Sequence, residues 1–117
     1  MCRILLYLLL LAVMCSCCND IVIDEKWLED NYSKTEAMVT MRDGVKLYTS
    51  VYKPVDSDDR PVLLVRTPYS CAPYGDGWKG DLTEYMTEFL RNKYILVFQD
   101  VRGRYMSEGE YENVRPY

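Results

Sequence analysis

Residues 94–110, YILVFQDVRGRYMSEGE, run from an apolar stretch into a loop that carries Asp100, Arg102, Gly103, Arg104, Ser107, Glu108 and Gly109. Loops at the carboxyl ends of buried strands are where open α/β sheets place binding and catalytic groups, so this loop is a candidate site. The competing reading is a salt-bridged connector, with Arg102 and Arg104 paired to Glu108 and Glu110 and stiffening a pocket wall. Exposed pairs of that kind contribute only about 0–1 kcal/mol, so they would shape a site more than they stabilise it. Ser107 has Gly109 two residues on, but Tyr105 stands where a G-x-S-x-G nucleophile turn needs its first glycine. The chain has no histidine to activate a serine, and Ser107 is rejected as a nucleophile.

A second candidate is Tyr69, in Thr67-Pro68-Tyr69 directly after the apolar run PVLLVR. A phenol at that strand end can hydrogen-bond a developing oxyanion and keep its proton at neutral pH. Against this, the chain holds 11 tyrosines, and most must be packing or surface residues. Gly75-Asp76-Gly77-Trp78-Lys79-Gly80 matches the spacing of a dinucleotide fingerprint, with Asp100 twenty residues beyond Gly80. That fingerprint needs its glycines in the strand-to-helix turn itself, whereas eight residues, Pro68 and Pro73 among them, separate PVLLVR from Gly75. A glycine-rich loop without a nucleotide is the expectation. Asp56, Asp58 and Asp59 read as a solvated turn instead of a metal loop, and neither cofactor nor metal is expected.

The elements that must position these groups follow from periodicity. Residues 36–41 and 45–53 flank Arg42-Asp43-Gly44, and the Asp-Gly pair supplies the positive φ of a tight hairpin. In the second strand Val45, Leu47, Thr49 and Val51 alternate with Lys46, Tyr48, Ser50 and Tyr52, the pattern of a sheet edge. Residues 61–66 form a short apolar strand. A helix over 81–92 is predicted from Leu82, Tyr85, Met86, Phe89 and Leu90, with Asp81 as its N-cap. The apolar run 95–98 completes a strand-helix-strand unit, which joins parallel neighbours. The fold class is therefore α/β: an antiparallel hairpin followed by a parallel strand-helix-strand unit. Two parallel strands that are apolar on successive residues imply covering on both faces, and one helix cannot cover both. A chain of this composition is thus expected to be the beginning of a larger protein.

Met1-Cys2-Arg3 precedes eleven almost wholly apolar residues, 4–14. That length suits the core of a signal peptide and falls short of the roughly 20 residues of a spanning helix. Residues 1–16 are read as a signal peptide, 17–34 as a tether ending in a short helix or irregular segment, and 35–117 as the folded part. Four of the five cysteines, Cys2, Cys15, Cys17 and Cys18, lie in or beside the leader, so no disulfide framework is expected. Ser16-Cys17 resembles a lipoprotein cleavage box, which makes Cys17 the candidate for lipidation, with Cys15 and Cys18 as alternatives. A lipid anchor at Cys17 would bring membrane contact and a location in the cell envelope. The formal charge of -4, without a basic run, excludes nucleic acid as a partner.

Taken in order, MRDGVKLYTSVYKP, PVLLVRTPYS and YILVFQDVRGRYMSEGEYENVRPY resemble the N-terminal part of the X-Pro dipeptidyl-peptidase-like, cocaine esterase-like serine hydrolases. The resemblance implies an α/β-hydrolase sheet and, for Tyr69, a hydroxyl donated to the oxyanion hole. Residues 35–117 would be the front of such a domain. The family's nucleophile elbow, its aspartate and its histidine come later and match nothing in this chain, so the chain alone is expected to be inactive. The expected activity is cleavage of acyl esters or amides, with X-Pro dipeptides among the substrates, in an exported protein whose partner is a small-molecule or peptide acyl substrate. A lipid-anchored, non-catalytic binding module and the relic of a truncated gene are the alternatives.

Overall fold

The computed structural model describes residues 21–56 and 58–113. The chain order is α1 (Glu25–Asn31), β1 (Tyr32–Thr40), β2 (Lys46–Pro54), β3 (Val62–Thr67), α2 (Asp81–Tyr85), α3 (Thr87–Arg91) and β4 (Ile95–Asp100). The strands form one mixed sheet in the order β1-β2-β4-β3. β1 and β2 are antiparallel, as are β2 and β4, while β3 and β4 are parallel. This is the α/β arrangement expected from the sequence.

The hairpin turns where Asp43-Gly44 sets it. Gly44 has φ 86°, and the Asp43 carboxylate accepts from the Val45 amide at 3.2 Å. The ladder is longer than predicted, running from Thr40↔Lys46 back to Tyr32↔Pro54. The short helix expected toward the end of residues 17–34 is α1, and the described part of this segment packs into the core. Asp24 caps α1 by accepting from the Trp27 amide at 2.8 Å, and Leu28 is only 1% exposed. Tyr32 is buried too, and its hydroxyl donates to the carbonyls of Leu90 and Tyr94 at 3.3 and 3.0 Å. Isolated apolar residues in a polar segment gave no periodic signal, yet they reach the core through contacts some 60 residues away, as the Tyr32 bonds show.

β2 is not an edge. It lies between β1 and β4, and Leu47, Tyr48, Thr49, Ser50 and Tyr52 are all buried. The face that looked mixed in sequence is the core face. Tyr52 meets the Phe98 ring edge-on at 5.8 Å, and Tyr48 meets Tyr74 at 4.9 Å. Leu96, Phe98, Leu82 and Leu90 complete this side. Burying each such side chain stabilises by about 1.5–3 kcal/mol. The other face carries Val51, Val97 and Leu64 in register across three strands, with Leu64 and Val62 exposed. The helices cover one face, so the expected covering of both is absent among the described residues.

The helix predicted over 81–92 is two short helices, α2 and α3, interrupted at Met86 (φ -109°, ψ 10°). Asp81 is not the N-cap. Gly80 is already right-handed helical (φ -57°, ψ -36°), whereas a side-chain cap needs extended backbone, and Asp81 instead pairs with Lys79 at 3.3 Å. The leader, including Cys17, lies outside the described residues.

Candidate active site

β3 and β4 end side by side, and the Val101 amide donates to the Thr67 carbonyl at 3.1 Å as the ladder finishes. Two loops therefore leave the sheet at one place, 68–80 from β3 and 101–111 from β4. Between them sits Asp100, wholly buried. Its Oδ1 accepts from the Cys71 amide at 2.7 Å, and its Oδ2 accepts from the Tyr74 hydroxyl at 2.9 Å and the Met106 amide at 3.4 Å. Burial, followed by the Asp100 carboxylate beside it, pushes the Cys71 thiol up to about 12. Cys71 is thus a neutral packing group, not a reactive thiolate. Burial also raises the Tyr74 phenol, the Ser70 hydrogen bond lowers it, and the Asp100 carboxylate adds to the rise.

Tyr69 stands on the outer side of this turn and is 82% exposed. Its amide donates to the Thr67 hydroxyl at 3.0 Å, which fixes the backbone while the ring reaches into solvent. The ring borders a cleft of about 410 Å³ whose wall includes Val65, Thr67, Ser70, Lys79 and Phe98. Lys79 brings a cation to this cleft, 5.7 Å above the Phe98 ring. A phenol, a lysine and apolar walls can receive an acyl group and donate to an oxygen that gains charge.

The glycine-rich loop runs into α2 through Gly80, but it is held from β1. The Lys34 ammonium, its side chain 7% exposed, donates to the carbonyls of Pro73, Gly75 and Gly77 at 2.7, 2.6 and 2.8 Å. Glu36 pairs with Lys34 at 3.0 Å and accepts from the Gly75 amide at 2.7 Å. Burial tends to raise the Glu36 carboxyl, but the Tyr48 phenol, the Lys34 ammonium and the Gly75 amide outweigh it and hold the group below the usual range. The loop is clamped to β1, and its carbonyls are engaged by lysine.

The loop after β4 is tied down differently from the expected internal ion pairs. Arg102 pairs with Asp43 of the hairpin at 2.8 Å, and Glu108 accepts from the Lys46 amide at 3.0 Å. Arg104 donates to the Pro68 carbonyl at 3.2 Å and lies over the rings of Tyr105 and Tyr111. Ser107 donates to the Asp100 carbonyl at 2.7 Å and accepts from the Tyr48 amide at 2.9 Å, a clasp between strands with no nucleophilic geometry. Gly103 (φ 70°) is required twice over, because a Cβ there would lie 2.1 Å from the Tyr111 nitrogen. The aspartates of the turn after β2 make ordinary ion pairs: Asp56 with Arg60 and Lys93, and Asp58 with Lys53.

This loop pair lies inside a recognised domain. Residues 43–116 match the family model of the X-Pro dipeptidyl-peptidase (S15 family). The chain belongs to the S15 family. A cocaine esterase of Rhodococcus sp. (strain MB1 Bresler) is 42% identical over 85 residues, 72% of this chain and 14% of the esterase. The fold is similar to that of an α-amino acid ester hydrolase, with TM-score 0.61 and 34% identity over 83% of this chain and 17% of that one. It is also similar to an aminopeptidase from the marine sediment archaeon Thaumarchaeota archaeon, with TM-score 0.58 and 36% identity over 71% and 14% of the two chains. This S15 chain thus spans about one-sixth or less of the length of these hydrolases.

Sequence reasoning brought Tyr69 and the Asp100 loop to the same end of the S15 sheet, and the structure puts them on facing loops. It missed Cys71, Tyr74, Lys34 and Glu36. The order Ser70-Cys71-Ala72-Pro73-Tyr74 held one usable signal, a small polar residue and a tyrosine around a proline next to Tyr69. Lys34 offered none, because its partners are backbone carbonyls.

Proposed function

We propose that this S15 chain supplies the oxyanion side of the active site in an exported serine hydrolase that cleaves acyl esters or amides, with X-Pro peptides among the substrates. The observation that carries the reading is the exposed Tyr69 phenol on a turn whose interior is locked, at the carboxyl end of a parallel strand. The turn fixes the backbone that carries this donor, and a phenol placed from a fixed backbone can stabilise a tetrahedral oxyanion. The 117 residues contain neither a G-x-S-x-G elbow nor a histidine, so in this reading they supply no nucleophile or histidine base and form no acyl-enzyme by themselves. The cleft beside Tyr69, with Lys79 and Phe98 in its wall, would receive the acyl substrate. Export rests on the apolar leader, and anchoring rests on lipidation of Cys17.

In the gene product that carries the complete S15 domain, Tyr69→Phe is expected to lower kcat for ester hydrolysis by roughly 10²- to 10³-fold, the usual effect of one oxyanion donor. An unchanged kcat removes Tyr69 from the mechanism. Labelled fatty acid incorporated by the wild type and lost in Cys17→Ala would support the anchor; label retained in the variant would move it to another residue.

A further inference from the structure

Tyr69 has no side-chain partner among the described hydrogen bonds, so its position depends on the backbone beneath it. That backbone is unusual at the next residue. Ser70 has φ 89°, a conformation that residues with a Cβ hold only where their surroundings impose it. The imposition is visible in three bonds. The Ser70 hydroxyl accepts from the Ala72 amide at 3.1 Å and lies 2.9 Å from the Tyr74 hydroxyl. Tyr74 gives its own proton to Asp100 at 2.9 Å, so Ser70 is the donor to Tyr74. The Cys71 amide, the other end of the strained unit, donates to the second carboxylate oxygen at 2.7 Å.

Asp100 is thus the common acceptor of a directed chain, Ser70 to Tyr74 to Asp100, and of the amide that follows Ser70. A buried carboxylate is costly unless hydrogen bonds replace its hydration, and here the replacements are neutral donors: two amides and a phenol. Filling space at a strand end does not require such a group. Only a side chain with two accepting oxygens can receive from Cys71 on one side and from Tyr74 and Met106 on the other.

We propose that Asp100 is the positioning residue for Tyr69, holding the 69–74 turn in its strained conformation so that the phenol points where charge develops. This rests on the oxyanion reading above. Asparagine is isosteric but turns one accepting oxygen into an NH₂ donor facing other donors, so it does not rescue the turn. In the complete S15 enzyme, Asp100→Asn is expected to lower kcat by about 10- to 100-fold with KM within about twofold, the scale of a misplaced catalytic group. Tyr74→Phe, which keeps the ring and Asp100 and removes both bonds of the Tyr74 hydroxyl, is expected to lower kcat by about 2- to 10-fold. It carries the test if Asp100→Asn fails to fold.

The deciding readout is the double variant. If Asp100 acts through Tyr69, Tyr69→Phe combined with Asp100→Asn, or with Tyr74→Phe, turns over no more slowly than Tyr69→Phe alone. Losses that multiply overturn the proposal, as does an unchanged kcat in the single variants. A silent Tyr69→Phe would sink the oxyanion reading by itself. The positioning is then decided by the amide proton of Cys71 in the 117-residue chain: a charge-assisted, downfield resonance that moves upfield in Asp100→Asn supports it, and one that stays in place overturns it.

Discussion

The segment between β3 and α2 is held at two points by side chains of opposite charge, and the two clamps work differently. At residues 73–77 the Lys34 ammonium donates to three backbone carbonyls and is neutralised by Glu36, whose side chain keeps 29% of its exposure. At residues 70–74 the Asp100 carboxylate is wholly buried and receives neutral donors. Carbonyls are present whatever the loop sequence, so Lys34 fixes where the loop runs while leaving its residues free to differ. Asp100 needs the Tyr74 phenol and, through it, the Ser70 hydroxyl, so it fixes a particular backbone conformation next to Tyr69. One clamp secures a path and the other a geometry.

Breaking the Lys34 clamp should have the largest effect on stability. Lys34→Met strands Glu36 and three carbonyls, and a loss of about 3–5 kcal/mol is expected from urea unfolding of the chain, toward the lower figure because Glu36 is partly hydrated. A loss below about 1 kcal/mol would rank this clamp with ordinary surface pairs and abolish the contrast. Asp100→Asn should cost about 2–3 kcal/mol, through donors left without acceptors, and Tyr74→Phe about 1 kcal/mol. In the complete enzyme the ranking of turnover should be the reverse, with Asp100→Asn slower than Lys34→Met. Equal effects on kcat would mean that both clamps act through stability alone.

The pH dependence separates the clamps further. Glu36 is held below the usual carboxylate range, so its contribution is full above that range and is lost as pH falls through its folded value. The acid limb of a stability-pH curve should flatten in Glu36→Gln. At the other extreme burial raises the Cys71 thiol from 9.0 to about 12, and raises Tyr32 and Tyr52 from 10.0 to about 12. Their neutral forms are the folded ones, so this contribution is full below pH 9 and declines toward pH 12. Cys71→Ala should delay the onset of the alkaline loss to the tyrosine range, the smallest change of the set. An onset that stays near pH 9 would assign the early limb to another group.

The hairpin, the parallel strands and the family motifs were legible because each is written locally: Asp43-Gly44 in a dipeptide, β3 and β4 in apolar runs, Tyr69 in the turn that follows β3. The clamps were not. Lys34 reaches carbonyls 39 to 43 residues away and Asp100 an amide 29 residues away, and no spacing rule links such positions. Periodicity also misjudged β2, whose tyrosine face looked like solvent-facing alternation until β4 was found beside it. By itself the sequence determined which segments are strands, where the hairpin turns and that a tyrosine stands in the turn after β3, because backbone preference and hydrophobic period act over a few residues. Only the tertiary structure decided which strand lies inside the sheet, why Ser70 can hold its strained backbone and which groups bond the 70–74 turn beside Tyr69, because hydrogen bonds to a buried carboxylate exist only after distant segments have met.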